Sequence, residues 1–214
     1  MTPEALAHLA KRCPLMRRLI KQHGPCTLAP EPGHSPFESL VRAVAHQQLN
    51  GTAAETILGR FRALFPGKRF PTPDCLAAVD DEALRAAGFS RAKIASIRDL
   101  ATKALDGTIP TSRAIRRMSD EEIVERLVQV RGVGRWTVEM LLIFKLGRPD
   151  VFPADDFGVR NGFRLATGEE ELPKPKALLA HAERWRPHAT TAAWYLWRAA
   201  DAAKEAKPIK GVNS

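Results

Sequence analysis

Residues 130–141 read VRGVGRWTVEML, two glycines two positions apart between two segments with helical periodicity. Upstream, Ile123, Leu127 and Val130 recur at i, i+4 and i+7, and downstream Trp136, Met140 and Ile143 do the same, so each set lines one face of a helix. Only Arg131 to Arg135 lie between them, room for a tight turn and nothing more. Gly132 and Gly134 predict backbone angles closed to other residues and leave no side chain to hold a ligand away. Bare amides would then stand at the start of the second helix, where unpaired N–H donors and the positive end of the helix dipole favour an anion. Arg131 and Arg135 flank them and Thr137 follows in the first turn, which suits a phosphate of nucleic acid. A lone G-x-G is more often an ordinary helix–helix turn, and phosphate contacts position a protein without specifying an activity.

Composition narrows the partner. The 33 Lys and Arg outnumber 24 Asp and Glu, a formal charge of +9, which favours a polyanion: nucleic acid first, anionic membrane second. A chain of 214 residues with 44% hydrophobic residues can bury a real core. No apolar run approaches the roughly 18 residues a spanning helix needs, and MTPEALAHLAKRC has no apolar stretch long enough for a secretory signal, so a cytoplasmic location is expected. Cys13, Cys26 and Cys75 form no C-x-x-C pair and the six histidines lack ligand spacing, so neither a four-cysteine cluster nor a transition-metal site is expected.

The rest of the chain reads as short helices punctuated by Pro and Gly, with no run of alternating strand residues, and the class is all-α. Helices are predicted at about 3–12, 14–23, 36–49, 52–65, 73–79, 81–87, 91–106, 119–130, 135–147, 155–166, 175–184 and 188–204, with residues 207–214 as a frayed tail. Thr72-Pro73 and the pair Ser119, Glu122 mark two of the starts, the second as a capping box.

Downstream of the turn, PDVFPADDFGVRNGF (149–163) places Asp155 and Asp156 at the start of another helix. Asp155 is expected to cap it and Asp156 to lie in its first turn, where the helix dipole favours a negative charge. Paired aspartates opening a helix are usually caps and nothing else.

Taken together, LVQVRGVGRWTVEMLLIFKLGRPDVFPADDFGVRNGF (127–163) resembles the signature of the helix-hairpin-helix DNA glycosylases, a hairpin followed about twenty residues later by a catalytic aspartate. Three further stretches, SPFESLVRAVAHQQLNGTAAETI (35–57), LRAAGFSRAKIASIRDLA (84–101) and ERWRPHATTAAWYLW (183–197), resemble the 3-methyladenine DNA glycosylase II branch, in the branch's order. The resemblance implies a two-lobed all-α fold with the active site in a cleft between lobes. Residues 36–164 would form the central lobe and residues 1–35 with 165–214 the other. The extra N-terminal mixed α/β domain of some members is expected to be lacking. By position, the catalytic carboxylate falls on Asp156 with Asp155 as supporting cap. In relatives that also cut the strand a lysine directly follows G-V-G-R; here that position is Trp136, which implies a monofunctional enzyme leaving an abasic site. Trp197 falls on an aromatic base-pocket position and Met140 where relatives present a tyrosine, and Trp136 is expected to supply the pocket's other aromatic face. Gln48, with Leu49 second, falls in the loop that fills the gap left by an extruded base. The hairpin in such proteins can carry an alkali ion on its carbonyls; no redox cofactor and no catalytic metal are implied.

The chemistry of one carboxylate agrees with this. Ordinary glycosidic hydrolysis uses two, one of them protonated. A purine alkylated at N3 or N7 is already cationic and departs without a proton donor, so one anion facing the developing oxocarbenium ion suffices. Aromatic faces also suit a cationic base, each contact being worth about 0.5–2 kcal/mol. The expected substrates are 3-methyladenine, 7-methylguanine, 1-methyladenine and 3-methylcytosine in double-stranded DNA, handled by a monomer. A bifunctional glycosylase/lyase and a non-catalytic DNA-binding module are the alternatives.

Overall fold

The computed structural model describes residues 2–31 and 33–205, and among these every regular element is helical. The expectation for the tail at 207–214 lies outside the described residues. Two compact units emerge, Glu31–Leu146 and the pair Met1–Pro30 with Gly147–Ser214.

The continuous unit holds α3 (Pro36–His46), α4 (Gly51–Ala63), α5 (Pro73–Ala78), α6 (Asp81–Ala87), α7 (Arg91–Leu105), α8 (Ser112–Ile115), α9 (Asp120–Leu127) and α10 (Arg135–Met140). Each of α3 to α9 opens on a Ser, Thr, Asn or Asp whose side chain accepts an amide of the first turn. Such caps satisfy donors that have no partner inside the helix. At α9 the box is complete, Glu122 N–H donating to Ser119 Oγ at 3.2 Å and Ser119 N–H to Glu122 Oε2 at 2.7 Å. The core is apolar: Leu40, Val44, Leu58, Ile97, Leu127 and Ile143 are all fully buried, each stabilising the unit by about 1.5–3 kcal/mol over an exposed side chain. Arg98 on α7 reaches across to donate to the carbonyls of Leu76 and Val79 and to Asp81 Oδ1, closing the end of α5.

Three details depart from expectation. Helix α3 ends at His46, not 49, because Gln47 turns extended (φ −54°, ψ 129°) and Gln48 takes φ +58°. The four-residue α8 was not predicted, being too short to show periodicity. Past Met140 the second hairpin helix widens into a π turn over Leu141–Lys145, with Leu146 N–H donating to Leu141 O at 3.0 Å.

The discontinuous unit pairs α1 (Pro3–Arg12) and α2 (Pro14–His23) with α11 (Phe157–Thr167), α12 (Pro175–Ala182) and α13 (Ala189–Glu205). The expected lobe boundary at 164 is corrected here: the division falls at 146/147, so Asp155, Asp156 and all of α11 go with the chain termini. The cause is close packing of α11 on α13. A Cβ added to Gly162 would stand 1.9 Å from the Leu196 carbonyl oxygen, so only glycine admits this approach. Around it Leu9, Met16, Trp185 and Tyr195 are buried. The Tyr195 hydroxyl donates to the Gly24 carbonyl at 2.7 Å, and burial pushes its pKa up to about 12.

Candidate active site

The loop before α11 is stitched to the start of α13 rather than left free. Thr190 Oγ1 accepts the Val151 amide at 2.9 Å and donates to the Arg148 carbonyl at 2.7 Å. Asp150 accepts the Ala189 amide through Oδ1 at 3.2 Å and pairs through Oδ2 with Arg186 Nε at 2.9 Å. The loop therefore delivers the chain to residue 155 along a fixed path.

What happens next corrects the assignment of the cap. Asp156 N–H donates to Pro153 O at 3.0 Å, closing a turn that puts Asp155 on the surface. Asp156, not Asp155, takes the capping position, with φ −65° and ψ 124°, and its Oδ1 accepts the Val159 amide at 2.8 Å. Asp155 has no capping role, and α11 begins at Phe157 instead of 155. The same Oδ1 accepts a second donor, the indole Nε1–H of Trp197 on α13, at 2.8 Å. Gly158 makes room for it, since a Cβ there would lie 2.8 Å from Trp197 Cδ1. Asp156 and Trp197 are thus brought together as one unit, both only partly buried, and Phe157 beside them is 64% exposed. Sequence reasoning placed Trp197 against a base; its bond to the carboxylate was invisible because the two residues are 41 positions apart.

At the hairpin, Gly132 has φ +77°, and a Cβ would sit 2.5 Å from Ser96 Oγ, so this glycine is required twice over. Gly134 departs from expectation: at φ −91° and ψ 171° its backbone is ordinary, and nothing lies within 4 Å of an added Cβ. Only the approach of something outside the protein would demand glycine there. The first helical bond of α10 runs from Val138 N–H to Gly134 O at 3.2 Å, so the amides of residues 135–137 precede it. Arg131 is exposed and its amide donates to Asp99 Oδ2 at 2.7 Å. Arg135 is no isolated cation: it pairs with Glu121 at 3.2 Å and Glu139 at 3.3 Å, and holds the Glu121 carboxyl below the usual carboxylate range. Thr137 is 6% exposed, so little of it is offered to a phosphate.

Trp136, read as part of an apolar stripe, is 46% exposed at the start of α10 rather than buried in the core. Met140, one turn on, lines with Thr137, Leu141 and Phe144 a cavity of 240 Å³. Gln48 and Leu49 are exposed at the tip of the turn after α3. Their neighbour Gln47 donates through Nε2 to the Gly132 carbonyl at 2.8 Å. No group of three or more His, Cys, Asp or Glu side chains converges as a metal site among the described residues. Nor is any described helix long and apolar enough to cross a membrane.

Residues 41–187 match the HhH-GPD superfamily base excision DNA repair proteins. This chain belongs to that family. Over 175 residues it is 46% identical to DNA-3-methyladenine glycosylase 1 of Schizosaccharomyces pombe, covering 82% of this chain and 77% of the relative. The structure is similar to that of the Schizosaccharomyces pombe 3-methyladenine DNA glycosylase Mag1 in complex with abasic DNA, with a TM-score of 0.81 at 43% identity over 91% of this chain and 95% of that one. DNA-3-methyladenine glycosidase from Bacillus halodurans gives a TM-score of 0.85 at 35% identity, over 96% and 92% of the two chains. The matched residues span both the hairpin and Asp156.

Proposed function

We propose that this member of the HhH-GPD superfamily is a monofunctional DNA glycosylase. It extrudes an alkylated base from double-stranded DNA and hydrolyses its N-glycosidic bond, leaving an abasic site. The observation that carries this reading is the Asp156 carboxylate, partly exposed and held by the Val159 amide and the Trp197 indole. Two fixed donors on one oxygen hold the negative charge where it is, so it needs no rearrangement as positive charge develops on the sugar. For 7-methylguanine, the C1′–N9 bond breaks with both electrons passing to the base, which leaves neutral. Water oxygen then bonds C1′ and gives up a proton to solvent, directly or by way of Asp156.

Trp136 stands where a strand-cutting relative needs an amine, so no Schiff base with the sugar forms and the strand stays intact. The exposed indole of Trp136 and the half-buried thioether of Met140 suit a flat cationic base, and the substrate range extends from 3-methyladenine and 7-methylguanine to 1-methyladenine and 3-methylcytosine. The +9 charge and the amides at the start of α10 grip the phosphates. The protein acts inside the cell as a monomer. An alkali ion on the hairpin carbonyls fits if it shares Gly132 O, which has a second lone pair beside the Gln47 bond; bound there, it would stiffen the turn.

The deciding experiment incubates the protein with a duplex carrying one 7-methylguanine and assays free base and strand breaks separately. Free base with an uncut strand until alkali is added is expected. Borohydride trapping of a protein–DNA adduct would replace this reading with a lyase, and absence of base release with a binding module.

A further inference from the structure

The hydrogen bond from Gln47 to the hairpin joins two segments 85 residues apart in sequence, and neither end is free to absorb a displacement. Gly132 is pressed against Ser96 of α7 and lies next to the amide that Asp99 of the same helix holds. On the other side, Lys93 of α7 donates through Nζ to the Ala45 carbonyl at 2.7 Å, fixing the last turn of α3 just before Gln47. Beyond it, Asn50 Oδ1 accepts the Ala53 amide at 2.8 Å and starts α4. Between these anchors stand Gln48, with φ +58° that a side chain rarely adopts, and Leu49, 39% exposed. Strained non-glycine backbone persists only where surrounding contacts over-determine it.

From this we infer that Gln47 is a positioning residue: its amide locks the loop bearing Gln48 and Leu49 to the phosphate-gripping turn, so that a grip on the backbone and insertion into the base stack occur as one movement. The inference rests on the proposed function for what the loop does, but the lock itself is a property of the protein alone. A Gln47→Glu substitution keeps the shape and sets a carboxylate against the Gly132 carbonyl, acceptor against acceptor. Gln47→Ala deletes the donor without adding charge.

Two measurements test it. The first compares single-turnover release of 7-methylguanine opposite cytosine with release of the same lesion opposite a tetrahydrofuran abasic analogue, where extrusion needs less help from the protein. Both variants should lose about tenfold on the paired lesion and much less on the unpaired one, with affinity for undamaged duplex almost unchanged. Equal losses on both duplexes, or none, would overturn the role. The second follows amide hydrogen exchange without DNA. Gln48, Leu49 and Val133 should exchange faster together in both variants while Ile123 and Leu127 do not change; unchanged exchange at the loop would overturn the lock. Should the unaltered protein release no base from either duplex, the glycosylase assignment fails, and exchange still decides whether Gln47 ties the two segments.

Discussion

Trp197 and Asp156 are joined by a 2.8 Å hydrogen bond from the indole nitrogen to Oδ1, the oxygen that also accepts the Val159 amide. One side chain therefore ends the loop, caps the helix and faces the proposed chemistry. Asp156→Asn separates these duties, because an amide oxygen can still cap. Base release should fall by about a hundredfold or more, as when a fixed charge-stabilising group is lost elsewhere, while the melting temperature and duplex binding stay close to those of the unaltered protein. Residual activity within a few-fold of normal would remove Asp156 from the reaction.

Trp197→Phe keeps an aromatic face and deletes only the donor. Single-turnover excision should slow by about tenfold, the cost of one hydrogen bond to a charged group, with little change in lesion affinity. If affinity drops and the rate does not, Trp197 serves the base and not the carboxylate.

Glu121→Gln releases Arg135 from one of its two acidic partners. Duplex affinity should rise and its salt dependence steepen. Arg131→Gln should do the reverse, flattening the slope of log affinity against log salt by about 0.9 if one phosphate contact is lost. Titration of binding across a salt series reads both.

Gly162→Ala drives a methyl into the Leu196 carbonyl. Helices α11 and α13 must part, at a cost of about 1–3 kcal/mol or more, visible as a lower urea midpoint. Activity per folded molecule should fall too, because the parting helices carry Asp156 and Trp197.

Tyr195 is the only tyrosine in the chain, so phenolate absorbance reports it alone. Burial raises its pKa from 10.0 to about 12, favouring the neutral form in the folded state. Its contribution to stability is complete below pH 10 and lost as pH climbs through 12. The folded protein should show no phenolate signal at pH 10.5, and the protein in urea should show it there. Titration near 10 in both would contradict the buried bond to Gly24.

Much of this was legible in the residues. Caps such as Thr72 and Ser119 fixed helix starts because the chemistry is local, and the hairpin showed in the step between two periodic faces. Asp155 and Asp156 could not be told apart, since which one caps depends on the turn closing onto Pro153. The lobe boundary was misplaced for a longer-range reason: α11 follows the hairpin in sequence, but the missing side chain at Gly162 gives it to α13. Gln47 and Gln48 are adjacent and identical in the chain, and only the backbone angle at Gln48 and the partner of Gln47 assign them different tasks.

The stitching of Arg148 to Val151 against Arg186, Ala189 and Thr190 has a mechanical consequence. If Asp156 is the reacting acid as proposed, it and its indole are mounted on a frame that the chain's own hydrogen bonds hold, with no need to assemble the reactive geometry around the sugar. The work of catalysis shifts onto delivery: whatever limits turnover should lie in bringing the nucleotide to a waiting charge, and lesions that leave the helix most readily should be cleared first.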